Sequence, residues 1–235
     1  IFFTALGLRL LQGYGQTETA PVVSVNRASL VKMHTVGPPL LDTEVKIAAD
    51  GEILVRGDLV MQGYWGKEDA TRETIVDGWV HTGDIGEFDE DGYLIITDRK
   101  KDIIVNSGGD NLAPQRIEGI ICLEPEIAQA MVYGDKHPHI TALLVPDDEW
   151  LKAWSKETGK SAKLSDVSCD EELIKALRPA MDRINKGLSN IEKVRRFMLA
   201  EEPFTIDNAQ MTPTMKVRRH KLNEVYGERL EKLYS

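Results

Sequence analysis

Five consecutive charged residues, Asp98-Arg99-Lys100-Lys101-Asp102, constrain this chain more than any other stretch. Such a run seldom enters a core, because an unpaired charge there loses its hydration. It reads as a boundary or hinge, and the sequence changes character across it. Residues 1–97 are dense in turns and short β-type runs. Glu44 to Ala48 and Glu52 to Arg56 alternate on either side of Asp50-Gly51, a strong two-residue hairpin signal. Asp77-Gly78 and Asp91-Gly92 mark further turns, and Tyr93 to Thr97 reads as a strand. Leu8 to Leu11 reads as an apolar strand running into a glycine-rich turn, and one short helix is expected near Lys67 to Ile75.

Beyond the charged run the pattern becomes α+β. Ile103 to Val105 is a short strand, followed by the polar loop Asn106-Ser107-Gly108-Gly109-Asp110-Asn111. Pro114 stands where a helix would start, with Ile117, Ile120 and Ile121 at helical spacing. Ile127 to Tyr133 and Ile140 to Val145 read as strands. Ser168 and Glu171 form a capping-box signature for a helix whose apolar face is Leu173, Leu177, Met181, Ile184 and Leu188. Pro179 predicts a kink there, or two shorter helices. A last helix from about Arg219 aligns Leu222, Val225, Tyr226, Leu230 and Leu233.

Composition narrows the function classes. The 235 residues carry a formal net charge of −9, which disfavours broad nucleic-acid binding. Residues 178–235 run the other way, with 12 Lys or Arg against 8 Asp or Glu. No apolar run approaches the ~18 residues that a spanning helix needs. Cys122 and Cys169 stand without paired histidines, so they outline no zinc site, and Cys122 is expected to be a buried structural thiol. A reducing, cytoplasmic setting follows. The chain begins with Ile1 rather than Met and is expected to be a piece of a longer protein.

Several constellations could carry chemistry. In Gln12-Gly13-Tyr14-Gly15-Gln16-Thr17-Glu18, two glycines permit a sharp turn and close approach of backbone N–H groups to a ligand. Thr17 offers a hydroxyl to a phosphate, Glu18 a hard oxygen to Mg²⁺, and Tyr14 a flat face to a base. In Thr82-Gly83-Asp84 a carboxylate on a turn can accept from a ribose diol. Arg99 can fork onto hydroxyls or phosphate, and the Gly108-Gly109 loop can admit an extended ligand. Lys216, with Arg218, Arg219 and Lys221 nearby, can neutralise a transferring phosphate. Taken singly, each also reads as a tight turn, a structural histidine (His81) or solvated surface charge.

Their order along the chain resembles the adenylate-forming superfamily of acyl-CoA synthetases, firefly-type luciferases and peptide-synthetase adenylation domains. GYGQTE is similar to its aromatic-Gly-x-Thr-Glu motif, and WVHTGD to its Thr-Gly-Asp motif. DRKKDIIVNSGGDNLAPQRIE is similar to its hinge and following loop, and PTMKVRR to its C-terminal lysine motif. FFTALGLRLLQGYGQTETAPVVSVN and EPFTIDNAQMTPTMKVRRHKL most resemble long-chain fatty acyl-CoA synthetases.

The resemblance implies the β-rich end of a large domain over residues 1–97, a hinge at 98–101 centred on Lys101, and a small α+β domain over 102–235 with a short central sheet flanked by helices. It implies that Gln12, Gly13 and Tyr14 line the adenine and acyl-adenylate site, that Thr17 binds the α-phosphate and Glu18 the Mg²⁺. Asp84 would hold the ribose with help from Arg99. Lys216 would be the catalytic lysine, and Ser107 and Gly108 would line the path of coenzyme A. Implied substrates are fatty acid, ATP and CoA, with AMP as product. No nucleic-acid partner and no membrane span are expected, though peripheral membrane contact fits a lipid substrate. Val105 departs from members that carry lysine there. The family's Ser/Thr/Gly-rich phosphate loop, upstream of GYG, does not occur in these residues. The chain alone is therefore expected to be inactive. A ligase for another carboxylate, an acyl-AMP ligase that delivers to a carrier protein, and a non-catalytic nucleotide-binding module are the competing readings.

Overall fold

The computed structural model describes residues 6–235. The chain divides into two compact units, one ending at Asp102 and the other beginning at Ile103.

In the first unit, β1 (Gly13–Tyr14) pairs antiparallel with β2 (Ser24–Val25). The main sheet has five strands: β3 (Glu44–Ile47), β4 (Glu52–Arg56), β5 (Ile75–Val76), β6 (Trp79–Phe88) and β7 (Leu94–Arg99). The ten-residue β6 is its axis, pairing with β4 along one edge and with β5 and then β7 along the other. Asp50-Gly51 turns the β3–β4 hairpin, with Gly51 at φ 85°. Asp77 (φ 51°) and Gly78 (φ 77°) turn β5 into β6, in the left-handed conformation that such two-residue hairpins require. The only α-helix of this unit among the described residues, α1 (Glu68–Thr74), falls where expected. The core is small: Val23, Ile53, Val55 and Leu94 are fully buried, with Tyr14, Leu59 and Phe88 packed against them.

Two expectations fail here. Leu8 to Leu11 form no strand, and Leu8, Leu10 and Leu11 are exposed. The first five residues of that apolar start lie outside the described residues. Thr82-Gly83-Asp84 is not a turn between elements but lies inside β6. The β4–β6 register jumps from Glu52 opposite Ile85 to Leu54 opposite His81. The extra residues on β6 form a bulge around Gly83, whose φ of 70° explains why glycine stands there.

The second unit opens with a short hairpin, β8 (Ile104–Val105) and β9 (Asn111–Leu112). Its sheet runs β10 (Ile127–Tyr133), β11 (Ile140–Pro146), β12 (Val194–Leu199), with the first pair antiparallel and the second parallel. All seven residues of β11 are buried, as a central strand covered on both faces requires. Five α-helices accompany it: α2 (Pro114–Ile121), α3 (Asp148–Thr158), α4 (Leu164–Val167), α5 (Glu171–Gly187) and α6 (Arg219–Glu231). Helices α3 to α5 fill the crossover that the parallel β11–β12 connection needs.

The helix signals were mostly right in placement and partly wrong in detail. Asp170, not Ser168, caps α5: its carboxylate accepts from Glu172 N (2.9 Å) and Leu173 N (3.2 Å). Ser168 instead closes the preceding α4. Helix α5 runs unbroken through Pro179, which is exposed together with Lys175 one turn earlier. The carbonyl that Pro179 cannot serve thus lies on the wet face, where water replaces the missing N–H. In α6, Leu222, Tyr226 and Leu230 are buried as expected, but Val225 is exposed at the margin of the stripe. Cys122 is exposed rather than buried, because it caps α2 just past the inward-facing Ile121.

Candidate functional site

In the first unit the motif residues converge on one carboxylate. Asp84 is buried, on the bulge of β6. The Tyr14 hydroxyl donates to its Oδ2 at 2.6 Å, and Arg99 Nε lies 2.7 Å from its Oδ1. Tyr14 arrives on β1, and Arg99 on β7 directly opposite Asp84 in register. Asp84 N donates to Thr82 Oγ1 (3.1 Å), and that hydroxyl donates to Ile53 O (2.7 Å), so the bulge is tied back to β4. Burial, and then the Asp84 carboxylate, push the Tyr14 hydroxyl far above its ordinary value of 10.0, so it stays a donor. Both Asp84 oxygens are held in place, and each keeps a lone pair for a further donor.

The glycine loop owes its shape to close backbone approach. A Cβ on Gly15 would lie 1.9 Å from Pro21 O, so no other residue fits. After it, Thr17–Thr19 form a 3-10 turn in which Gln16 N donates to Thr19 Oγ1 at 3.1 Å. Thr17 is exposed in this turn, and Glu18 beside it accepts from the Tyr64 hydroxyl at 2.6 Å. The side-chain amide of Gln12, oriented to suit its neighbours, donates to Met33 O (2.8 Å) and Thr35 O (3.0 Å). Gln12 thus tethers the loop.

Glu18 offers one carboxylate to a cation. Among the described residues no group of three or more His, Cys, Asp or Glu is placed to hold a metal ion. One carboxylate suits Mg²⁺, which keeps waters and takes its other ligands from a nucleotide's phosphates. It does not suit a resident zinc.

In the second unit, Ser107 and Gly108 sit in the β8–β9 loop, which Asn106 organises. Its Oδ1 accepts from Gly108 N and Asp110 N, both at 2.9 Å, and its Nδ2 donates to Asp110 Oδ2 at 2.9 Å. Ser107 N donates to His137 O at 2.9 Å, fixing the loop to the β10–β11 connection. Lys216 is exposed at the end of a tight turn, where its N–H donates to Thr212 Oγ1 at 3.0 Å and Met215 takes φ 60°. Its side chain enters no ion pair among the described residues. Two of its basic neighbours are engaged: Arg219 with Glu118 and Lys221 with Glu224, both at 2.6 Å. Lys101, next to the division between the units, is also exposed and outside any described ion pair.

Sequence reasoning missed three residues here. Tyr64 carries no motif signal. Asn106 looked like ordinary loop polarity. Glu52 sat in a strand pattern, yet it is buried and accepts from Gly83 N at 2.9 Å, with His81 Nδ1 and Lys100 Nζ each 2.9 Å from its other oxygen. His81 is therefore the structural histidine that the sequence suggested.

Comparisons with known proteins give this geometry a family. Residues 2–65 match the AMP-binding enzyme family, and residues 101–235 match the AMP-binding enzyme C-terminal domain. The long-chain-fatty-acid–CoA ligase FadD15 of Mycobacterium tuberculosis is 41% identical over 236 residues, covering 100% of this chain and 39% of its own length. Human long-chain-fatty-acid–CoA ligase 6 is 35% identical over 247 residues, covering 98% and 35%. Among solved structures, the A domain of carboxylic acid reductase from Segniliparus rugosus, in complex with AMP and a co-purified carboxylic acid, matches with TM-score 0.74 and 26% identity over 99% of this chain and 36% of that one. O-succinylbenzoate coenzyme A synthetase (MenE) from Bacillus subtilis, in complex with ATP and magnesium ion, matches with TM-score 0.67 and 27% identity over 94% and 42%. This chain thus spans well under half the length of the relatives it matches. With its C-terminal domain matched over more than half of its residues, the chain belongs to the AMP-binding enzyme family.

Proposed function

We propose that this chain is the C-terminal part of an ATP-dependent long-chain fatty acid–CoA ligase, comprising the end of the large domain, a hinge at residues 98–101 and the small domain. The observation that carries the reading is the meeting of Tyr14 and Arg99 on the buried carboxylate of Asp84. A charged acceptor fixed on both oxygens binds a ribose diol without paying to order itself.

The reaction follows in two steps. The fatty carboxylate attacks the α-phosphate of ATP, and the bond to pyrophosphate breaks to leave an acyl-adenylate. Thr17 binds the α-phosphate and Tyr14 lies along the adenine. Glu18 would hold Mg²⁺, which would neutralise phosphate charge. Lys216, which enters no ion pair among the described residues, stabilises the charge that develops between carboxylate and phosphate. Rotation at Lys101 then withdraws Lys216 and brings the Ser107-Gly108 loop to the site. The CoA sulfur attacks the acyl carbon and loses its proton, and AMP departs with the electrons of the cleaved C–O bond. A cytoplasmic setting rests on the sparse cysteines. Among the described residues no helix is long and apolar enough to cross a membrane.

Asp84→Asn in the intact protein tests the ribose assignment. Loss of the charge should raise KM for ATP by about tenfold or more, while leaving KM for the fatty acid within about twofold. Equal loss toward both substrates would remove Asp84 from the nucleotide site. A second reading, a ligase for another carboxylate, is favoured by the likeness to the O-succinylbenzoate coenzyme A synthetase. A profile of carboxylate substrates on the intact protein separates the two.

A further inference from the structure

Consecutive cations at the end of the first unit reach two different buried acids. Arg99 Nε lies 2.7 Å from Asp84 Oδ1, and Lys100 Nζ lies 2.9 Å from Glu52 Oε2 and 2.8 Å from Asp50 Oδ2. The side chains of Asp84 and Glu52 are 6% and 4% exposed, so each carboxylate needs partners where it sits. Asp84 is engaged by the nucleotide reading, whereas Glu52 touches no motif side chain assigned to a substrate. Its Oε1 instead accepts from the N–H of Gly83, the left-handed residue at the centre of the β6 bulge. One carboxylate therefore holds both the bulge that presents Asp84 and the cation directly before Lys101. The following residue, Lys101, is exposed and has no described ion partner.

We propose that Glu52 is a positioning residue that pins the nucleotide bulge through Gly83 and fixes the start of the hinge through Lys100, so that backbone freedom begins at Lys101. The activity arm of the test rests on the ligase reading, but the labelling arm does not. A pivot works only if the chain on one side of it is held. Arg99 and Lys100 are anchored into the first unit side by side, which leaves Lys101, the middle residue of the 3-10 turn Lys100–Asp102, as the first residue past them without a described ion pair to hold it. Without Lys100, the free length would grow by at least one residue and the small domain would lose its defined axis. Without the Glu52 charge, the bulge would loosen as well, because Gly83 N–H would face a weaker acceptor.

Two measurements test this. The first is acetylation of lysine amines by an N-hydroxysuccinimide ester on the intact protein, with sites resolved by fragmentation mass spectrometry. Lys100, held by two carboxylates, should react about tenfold more slowly than Lys101, and Glu52→Gln should remove most of that difference. Equal reactivity in the unaltered chain, or no change in Glu52→Gln, overturns the latch. The second measurement is kinetic, on the intact protein. Glu52→Gln should raise KM for ATP by about tenfold and also slow thioester formation. Lys100→Met should slow thioester formation from preformed acyl-adenylate while shifting KM for ATP by less than about twofold. The double variant should be no worse than Glu52→Gln alone, since both changes break one network. Lower melting temperatures with unaltered constants per active site would make Glu52 merely structural and sink the proposal. If the intact protein fails to activate fatty acids while the labelling contrast holds, the substrate reading fails and the latch stands.

Discussion

At Glu52 opposing effects set the affinity for a proton. Burial raises it, but the Lys100 ammonium, the His81 ring and the Gly83 N–H outweigh burial and hold the carboxyl below its ordinary 4.5. A group whose folded value is lowered stabilises the fold above its unfolded value, and that contribution disappears as pH falls through the folded value. Glu52→Gln cannot titrate. The stability gap between the parent chain and this variant should therefore be widest near neutrality and should shrink below about pH 4.5. Denaturant melts at a series of pH values measure it, and a gap unchanged down to about pH 3 would exclude the ionised carboxylate as its source. Residue types at the site were legible in the sequence, because glycines, an aromatic, a threonine and acids in that order have few other uses together. Their meeting was not legible. Tyr14 and Asp84 are 70 positions apart, and nothing local announces that the phenol hydroxyl ends on that carboxylate. Glu52 was hidden for another reason: in a strand its period matches its apolar neighbours, and only the bulge opposite explains a buried acid there.

Among the elements, the start of α6 illustrates how a surface lysine is aimed from within. Arg219 is the first residue of that helix, three positions after Lys216. Its Nη2 donates to both oxygens of Glu118 on α2, at 2.6 Å each, and its Nη1 donates to Val132 O on β10 at 3.1 Å. Glu118 in turn accepts from Val132 N at 2.8 Å. Helix, strand and helix are thus cross-linked just behind the Lys216 turn. Arg219→Met should destabilise the chain by about 2–4 kcal/mol, because the mostly buried Glu118 would lose its charged partner. Urea unfolding of the chain reads this, and a loss below about 0.5 kcal/mol would place the pair among ordinary surface bridges. The stretch that ends at Glu118 and the basic cluster around Lys216 were visible in the sequence, but not their pairing. The elements themselves were legible wherever a period and a terminus signal agreed, as at Pro114 or Asp50-Gly51. They were misread where two signals competed. Ser168 offered a cap pattern, but Asp170 stands closer to the first buried leucine and takes the role. Pro179 signalled a break, but the buried face of Leu173, Leu177, Met181 and Ile184 outweighs one missing hydrogen bond on the wet side.

For the whole molecule, the ligase proposal divides the labour between the units. The residues assigned to the nucleotide stand in the first unit, and Lys216 with the Ser107-Gly108 loop in the second. Under that proposal, a cation that neutralises charge in one half-reaction would obstruct the thiol in the other, and placing it on a separate body would let one hinge serve both. The basic excess of residues 178–235 fits a segment that approaches a polyphosphate. Lys216→Ala in the intact protein should therefore slow acyl-adenylate formation by about 10²–10³-fold, the scale of losing one preorganised charge at a developing oxyanion. Thioester formation from supplied acyl-adenylate and CoA should change by less than about threefold. The two rates are separable by pyrophosphate release and by thiol consumption in single-turnover mixing. A variant that adenylates normally but fails to transfer would assign Lys216 to the second step. It would also leave the Gly108 loop to serve adenylation.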